Sequence, residues 1–315
     1  MIVLQHLMVN DHHKRRMEEM AGGRHKIVVT KDFLDVPDLA ETEILFTFGK
    51  GILDETIKKM PNLKWIQLCS TGFDHLPIDY IIEHGIQVTT SKGTHAEPIA
   101  EYAFSCMFYF ARKMDVFLKL QKEKKWYRLN HPTEITGKTV LILGTGYIGK
   151  EIAKKAKAFN MISIGINRTG TISDPFNQVY TFDDLSNVLP NADYLILSLP
   201  LTELTNQVIG MRQLELLRPT SVVINLGRGE LIDETAALEA LRASKIRGMA
   251  MDVFSKEPLP KDSPLWEMDN LLITPHMAAL TDRFLDRSME RFVENYRHYL
   301  KGEQLVDFAD FSKGY

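Results

Sequence analysis

The sequence predicts an α/β protein built from two doubly wound parallel-sheet domains, and three observations predict it. Short β-rich runs alternate with helical patterns through both halves of the chain. One of these runs leads straight into spaced glycines and a helix, K-T-V-L-I-L-G-T-G-Y-I-G followed by KEIAKKAKAF, from Lys138 onward. The length of 315 residues suits two domains of roughly 130 to 180 residues better than one core.

The elements follow in order. The opening MIVLQHLMVNDHHKRR places its positive charge after a short apolar run, the reverse of a secretory signal, and reads as a first strand, Ile2 to Met8. His12 and His13 in its charged tail, and His131 farther on, read as surface histidines. Further β-rich runs stand at Ile44 to Phe48, Lys64 to Leu68 and Ile86 to Thr89, with a helical pattern from Leu53 to Met60. Ile99, Ala103, Met107, Phe110, Met114, Phe117 and Leu118 recur at helical spacing and predict one long helix from Ala96 to about Lys122, with a broad apolar face for core or subunit packing. After the charged KEKK and Pro132 come six β-runs: Thr139 to Leu143, Met161 to Ile166, Tyr194 to Leu199, Ser221 to Leu226, Gly248 to Val253 and Leu271 to Ile273. Six is the strand count of a doubly wound dinucleotide domain. A last helical pattern, Asp282 to Leu300, lies beyond the final strand and is expected to cross back onto the first domain. The boundaries expected are therefore 1–99 for a first part, 100–281 for an inserted domain and 282–315 for a returning C-terminal helix.

Composition narrows the function. With 44% apolar residues, 25% charged and a net charge of -3, the chain reads as soluble and globular, without general attraction for nucleic acid or an anionic membrane. No apolar run approaches the roughly 20 residues that span a bilayer. Two cysteines, Cys69 and Cys106, are too few for a disulfide scaffold, so a reducing cytoplasm is the expected home. No cluster has metal-ligand spacing, and no metal is expected.

The chemistry starts at the glycines. Gly144 allows a tight turn off the strand, Gly146 lets the backbone approach a pyrophosphate, and Gly149 lets the helix pack against the strand. The pyrophosphate then sits on free N–H groups at the helix start near Tyr147 and Ile148. In such sheets ligands bind beyond the carboxyl ends of the strands, where three segments carry polar residues: NLGRGELIDE, DVFSKEPLP and TPHMAALT. Arg228, between Gly227 and Gly229, has a guanidinium left sterically free to fork onto a carboxylate. Glu257 stands before Pro258 in a rigid loop, and His276 follows Pro275. An Arg, a Glu and a His at three adjacent strand ends suit acid-base chemistry on a carboxylated substrate.

On these motifs, together with CSTGFDHL (69 to 76), EPIAEY (97 to 102) and LPLTELT (199 to 205), the chain resembles the D-2-hydroxyacid dehydrogenase family, which includes D-3-phosphoglycerate, glyoxylate/hydroxypyruvate and D-lactate dehydrogenases. The spacing agrees, with 29 residues from Arg228 to Glu257 and 19 from Glu257 to His276. The resemblance implies a Rossmann-type nucleotide-binding domain inserted in a flavodoxin-like substrate domain, and an active site between the two. It also implies hydride transfer between NAD(P)H and a small 2-oxoacid. By the same resemblance Arg228 anchors the substrate carboxylate and carbonyl, His276 is the general acid-base, and Glu257 bonds its imidazole. Ser70, Thr71 and Gly72 resemble the turn whose N–H groups hold the substrate carboxylate. Leu199, Pro200, Thr205, Leu226, Gly227, Asp252, Ala278 and Ala279 fall in the motifs that line the cofactor, as do Arg228 and His276. Phe48, Phe73 and Tyr102 are expected to shape the substrate pocket.

Cofactor choice turns on the end of the second strand of the inserted domain. About 20 residues beyond the glycines, an NAD-preferring protein places Asp or Glu on the ribose hydroxyls. Here stand Asn167, Arg168 and Thr169. Asn removes the repulsion of a 2′-phosphate, Arg168 can pair with it and Thr169 can donate to it, so NADP is favoured over NAD, in keeping with the glyoxylate/hydroxypyruvate reductase-like branch. The resemblance and the apolar Ala96 to Lys122 helix point to a homodimer. The competing reading is a nucleotide-sensing, corepressor-like binding protein without significant turnover. The three acid-base residues weigh against it.

Overall fold

The computed structural model describes residues 1–311 apart from positions 7, 50, 53, 74, 75, 129 and 130. Leu53 of the predicted helix, Asp74 and His75 of CSTGFDHL and the last four residues of the 282–315 segment thus lie outside the described residues. The chain forms two compact units: residues 1–95 with 281–315, and residues 96–280.

The first unit holds strands β1 (Ile2–Gln5), β2 (Ile27–Thr30), β3 (Ile44–Thr47), β4 (Trp65–Leu68) and β5 (Gln87–Thr89), all parallel, in the order β2-β1-β3-β4-β5. Every residue of β1, β3 and β4 is buried, as apolar strands must be when helices cover both faces. Its shorter helices are α1 (Asp11–Ala21), α2 (Asp54–Ile57) and α3 (Ile78–Glu83). The order places the topological switch between β1 and β3, the pattern of flavodoxin-like sheets.

Two elements here escape the sequence pattern. Strand β2 is a four-residue edge strand, and α1 occupies the stretch read as a charged tail. Its start is capped by the Asn10 side chain, which accepts the N–H groups of His12 and His13, and Gly22 ends it with φ of 53°. His13 is no surface residue: it is 5% exposed. Its Nδ1 accepts the Asn10 N–H, which leaves Nε2–H to donate to Asp286 at 3.0 Å.

The C-terminal helix, Phe284–Lys301, belongs to this first unit. It buries Phe284, Phe292 and Tyr296 completely or nearly so, and the Phe292 ring lies 5.0 Å from Phe46 of β3 and 5.2 Å from Trp65 of β4. Asn295, fully buried, donates to Gln67 at 3.0 Å and bonds both backbone groups of Val306, so no polar atom of its amide is wasted in the core.

The second unit carries seven parallel strands: β6 (Thr139–Leu143), β7 (Ile162–Ile166), β8 (Gln178–Tyr180), β9 (Tyr194–Leu197), β10 (Val222–Asn225), β11 (Gly248–Met251) and β12 (Leu271–Ile273). Their order is β12-β11-β10-β9-β6-β7-β8, so the count is seven among the described residues and not six. The extra strand, β8, is a three-residue edge strand beside β7. Helices α4 (Ala96–Ala111), α5 (Met114–Lys122), α6 (Tyr147–Ala158), α7 (Leu185–Val188), α8 (Met211–Leu216) and α9 (Glu234–Arg242) complete it. Alternate strand residues feed two cores. Leu141, Leu143, Leu195, Leu197, Val223 and Met251 face one, while Val140, Ile142, Ile196, Val222, Ile224 and Ala250 face the other.

The single long helix expected over 96–122 is two helices. Helix α4 buries Ala100, Ala103, Phe104, Met107 and Phe110 against the sheet, and the chain then breaks at Lys113, whose φ is 54°. A lysine in that region costs about 1 to 2 kcal/mol, offset where the apolar face of α4 stops at Ala111. Helix α5 has no buried residue.

Candidate active site

The switch point of the second sheet lies between β6 and β9, and the glycine turn sits there. Gly144 has φ of 105°, and a Cβ on it would stand 2.8 Å from the carbonyl oxygen of Ser198, just past β9. A Cβ on Gly149 would meet the Gly144 carbonyl oxygen at 2.0 Å, so the α6–β6 approach admits only glycine. Gly146 differs. A Cβ there would meet nothing within 4 Å, so packing gives no reason for glycine, whereas a pyrophosphate laid against the backbone does. No side chain caps α6 at Gly146, and Tyr147 is exposed. The free N–H groups of a twelve-residue helix thus face an open position that suits a phosphate.

At the end of β7, the Asn167 side chain is drawn into its own loop. Its Oδ1 accepts from the N–H groups of Thr169 and Gly170 at 3.0 and 2.7 Å, and its Nδ2 donates to Thr145 at 3.0 Å. The outcome is an Asx-type turn that leaves Arg168 and Thr169 exposed. Past β9, Leu199 is buried and Pro200 half-buried. The hydroxyl of Thr205, a 7%-exposed residue, donates to Pro200 O at 2.7 Å and accepts the Thr202 N–H at 2.8 Å, closing that loop on itself.

Arg228 follows β10 in an extended conformation. Buried Asn225 braces this loop from below: its amide accepts the Gly227 N–H at 3.1 Å and donates to Arg228 O at 2.8 Å. Nothing in the sequence pattern had singled out Asn225. The flanking glycines also serve the packing of the loop. A Cβ on Gly227 would meet Leu199 O at 2.7 Å, and one on Gly229 would fall 2.0 Å from the Phe254 carbonyl carbon. They make room for neighbouring backbone, and Gly229 brings the Arg228 loop directly against the loop that carries Glu257. Leu226 is buried beside them.

His276 and Glu257 meet. The ring Nδ1 stands 2.9 Å from Glu257 Oε2, and Glu257 Oε1 accepts the Phe254 N–H at 3.0 Å. A carboxylate only accepts, so Nδ1 carries the hydrogen and Nε2 is left to exchange a proton with a substrate. The pair is open, with side-chain exposures of 52% for His276 and 37% for Glu257. His276 has φ of 57°, a conformation that a non-glycine residue adopts only when its surroundings impose it. Asp252, 2% exposed, imposes it. Its carbonyl accepts the His276 N–H at 2.8 Å, and its carboxylate accepts the N–H groups of Met277 and Ala278, each at 2.8 Å. Ala278 is buried and Ala279 half-buried after this turn. Strands β10, β11 and β12 are neighbours, so Arg228, Glu257 and His276 come from three adjacent strand ends.

In the first unit, the turn Ser70–Gly72 follows β4. Ser70 Oγ donates to Gly72 O at 3.1 Å, and the preceding Cys69 carbonyl accepts from His95 Nε2 at 2.8 Å and from Ser288 at 3.0 Å. Thr71 is exposed. Phe73, expected to shape a pocket, is a core residue: it is 3% exposed and packs edge-on to Phe311. Phe48 is 39% exposed. Among the described residues no group of His, Cys, Asp and Glu could hold a metal ion, and no helix is long and apolar enough to cross a membrane.

Residues 104–278 match the family described as D-isomer specific 2-hydroxyacid dehydrogenase, NAD binding domain. The chain belongs to the D-isomer specific 2-hydroxyacid dehydrogenases. As such it is an NAD(P)-dependent oxidoreductase that interconverts 2-hydroxyacids and 2-oxoacids. A glyoxylate reductase of Korarchaeum cryptofilum is 30% identical to this dehydrogenase, over 79% of the chain and 76% of its own length. A D-isomer specific 2-hydroxyacid dehydrogenase family protein of Aeromonas salmonicida has the same fold, with a TM-score of 0.88, 31% identity and 98% of both chains covered. Two structures at 25% identity hold different cofactors. A dehydrogenase of the family from Xanthobacter autotrophicus, TM-score 0.83 with 100% of this chain and 99% of its own covered, was solved with NADPH. The D-lactate dehydrogenase of Aquifex aeolicus, TM-score 0.80 with 98% and 99% covered, was solved with NAD and lactic acid.

Proposed function

We propose that the protein is a reductase of small 2-oxoacids that prefers NADPH, with Arg228, Glu257 and His276 as its acid-base machinery. The His276–Glu257 hydrogen bond of 2.9 Å, one strand away from the Arg228 loop, carries this reading. Bound nicotinamide supplies the hydride. Negative charge then develops on the C2 oxygen, and protonated His276 stabilises it and donates the Nε2 proton. Glu257 keeps Nδ1–H engaged and so fixes the ring with Nε2 toward the substrate. The Arg228 guanidinium forks onto the substrate carboxylate.

The free N–H groups at the start of α6 (Gly146, Tyr147, Ile148) would hold the pyrophosphate. The Asn167–Thr169 turn would hold the adenosine ribose with its 2′-phosphate. The segments around Leu199 to Thr205, Leu226 to Gly227, Asp252 and Ala278 to Ala279 would line the rest. Mixing the protein with NADPH and a panel of glyoxylate, hydroxypyruvate, pyruvate and 3-phosphohydroxypyruvate tests the reading. Loss of NADPH absorbance with the small acids is expected. Nucleotide binding without turnover of any acid, with either cofactor, would instead favour the corepressor-like alternative.

Preference for NADPH rests on the Asx turn, which leaves Arg168 exposed where an NAD-preferring protein would place an acidic residue. Arg168→Ala removes a charge-assisted contact of about 1.5 to 3 kcal/mol. It is expected to raise the KM for NADPH about 10- to 150-fold and leave that for NADH nearly unchanged. Equal losses for both cofactors would mean that Arg168 stacks on adenine instead.

The homodimer is proposed on exposed apolar surface. Helix α5 has no buried residue, and Met114, Leu118, Trp126 and Tyr127 on it and just after it are 43%, 46%, 98% and 62% exposed. Light scattering at micromolar protein should return twice the monomer mass. A monomeric mass there would refute the proposal.

A further inference from the structure

Behind Asp252 runs a line of hydroxyl groups that the acid-base reading does not use. Thr274 Oγ1, at the end of β12, lies 2.5 Å from Asp252 Oδ1, and the Tyr102 hydroxyl, on α4, lies 2.5 Å from Thr274 Oγ1. The direction of these bonds is forced. Asp252 accepts two backbone N–H groups and acts as a carboxylate, so Thr274 donates to it, and the Thr274 lone pair is filled by the Tyr102 O–H. Burial pushes the Tyr102 phenol above its ordinary range, which keeps it a neutral donor. The chain therefore reads Tyr102 to Thr274 to Asp252, ending on an anion, and bonds in such a row strengthen one another.

What the row holds is the turn 274–278. Asp252 takes hydrogen bonds from Thr274, His276, Met277 and Ala278, four of the five residues of that turn, and His276 stands in it with φ of 57°. A His in that conformation tends to relax to negative φ unless the turn is fixed, and relaxation would swing the ring away from Glu257. Asp252 fixes the turn from within; Tyr102 fixes Thr274 from a different layer, the α4 helix packed on the sheet.

We propose that Tyr102 is a positioning residue for the acid-base histidine: its hydroxyl, through Thr274 and Asp252, holds the 274–278 turn so that His276 meets Glu257. This rests on the reading of His276 as the proton donor. It assigns Tyr102 a place beneath the turn, where it had been expected to shape the substrate pocket.

Tyr102→Phe keeps the ring that packs in the core and removes only the hydroxyl. Steady-state reduction of glyoxylate with NADPH should show kcat lowered about 3- to 10-fold, the worth of one hydrogen bond, with KM for the acid and nucleotide affinity within about twofold of the parent. Thr274→Val should lower kcat about 10- to 30-fold, since it takes a donor from the carboxylate. Thr274→Ser, which keeps the hydroxyl, should recover kcat to within about threefold of the parent. The deciding variant is Tyr102→Phe combined with Thr274→Val. A row predicts that it matches Thr274→Val alone, because the tyrosine has nothing left to act through. Multiplied losses, or a parental kcat in Tyr102→Phe, would overturn the proposal. A His276→Ala variant that still turns over at the parental rate would instead overturn the reading beneath it, so the two failures are told apart.

Discussion

His276→Ala should lower kcat for 2-oxoacid reduction about 10²- to 10⁴-fold, with NADPH affinity close to that of the parent. The size follows from what is removed. As hydride reaches C2, the carbonyl oxygen becomes an alkoxide that must be neutralised, and among the described side chains His276 Nε2 is the group left free to donate by the bond that Glu257 makes to Nδ1. Nucleotide affinity should survive because the turn is built by Asp252 and backbone N–H groups, none of which the substitution removes. Alanine at φ of 57° carries a backbone penalty that histidine already bears, so the fold has no new strain to absorb. Glu257→Gln should show a smaller loss in the same parameter, because the one amide oxygen can still accept Nδ1–H, without the charge and at the cost of the Phe254 N–H bond. The measurement is kcat and KM for glyoxylate beside NADPH titration by fluorescence. A parental kcat in His276→Ala would remove the histidine from the chemistry.

The features that the sequence displayed were those in which a local pattern and its chemical consequence coincide. Glycines spaced G-x-G-x-x-G mark a turn, and Gly144 and Gly149 have no room for a Cβ, which would stand 2.8 and 2.0 Å from backbone oxygens. Glu257 and His276 were legible because parallel strands deliver their following loops to one edge, whatever lies between them. The edge strands β2 and β8, at four and three residues, were not, since so short a run carries no period. The break at Lys113 left no mark because the sequence around it, ARKMD, holds neither glycine nor proline; the packing limit of α4 dictates it. His13 looked solvated among charges, and its burial comes with partners the local pattern does not show, among them Asp286, 273 residues away in sequence. The same holds for Tyr102 and Thr274, separated by 172 residues. Gly227 and Gly229 show the converse failure. Their presence beside Arg228 was legible, but their purpose depended on Leu199 and Phe254, which no local pattern connects to them.

Arg228→Ala should lower kcat/KM for 2-oxoacids about 10²- to 10³-fold, divided between a raised KM and a lowered kcat. A contact to the carboxylate persists from the bound acid to the transition state, which raises KM. Any contact to the C2 oxygen strengthens as that oxygen gains charge, which lowers kcat. This split distinguishes Arg228 from His276, whose loss falls on kcat. Arg228→Lys sharpens the test. Lysine keeps the charge but not the planar fork, so it should recover little of the loss if two parallel N–H bonds to a carboxylate are what matters, and most of it if Arg228 acts only as a positive charge. The loop itself should persist in both variants. Its shape comes mainly from Asn225, from the close backbone approach at Gly227 and Gly229 and from the Leu231 N–H bond to the Arg228 carbonyl at 3.2 Å; the guanidinium adds one part-buried bond, from Nη1 to the Gly227 carbonyl at 2.9 Å, worth about 1 kcal/mol. Thermal unfolding of the three proteins should therefore agree closely while their kinetics diverge. A kcat/KM for Arg228→Ala within threefold of the parent would show that the substrate carboxylate is held elsewhere.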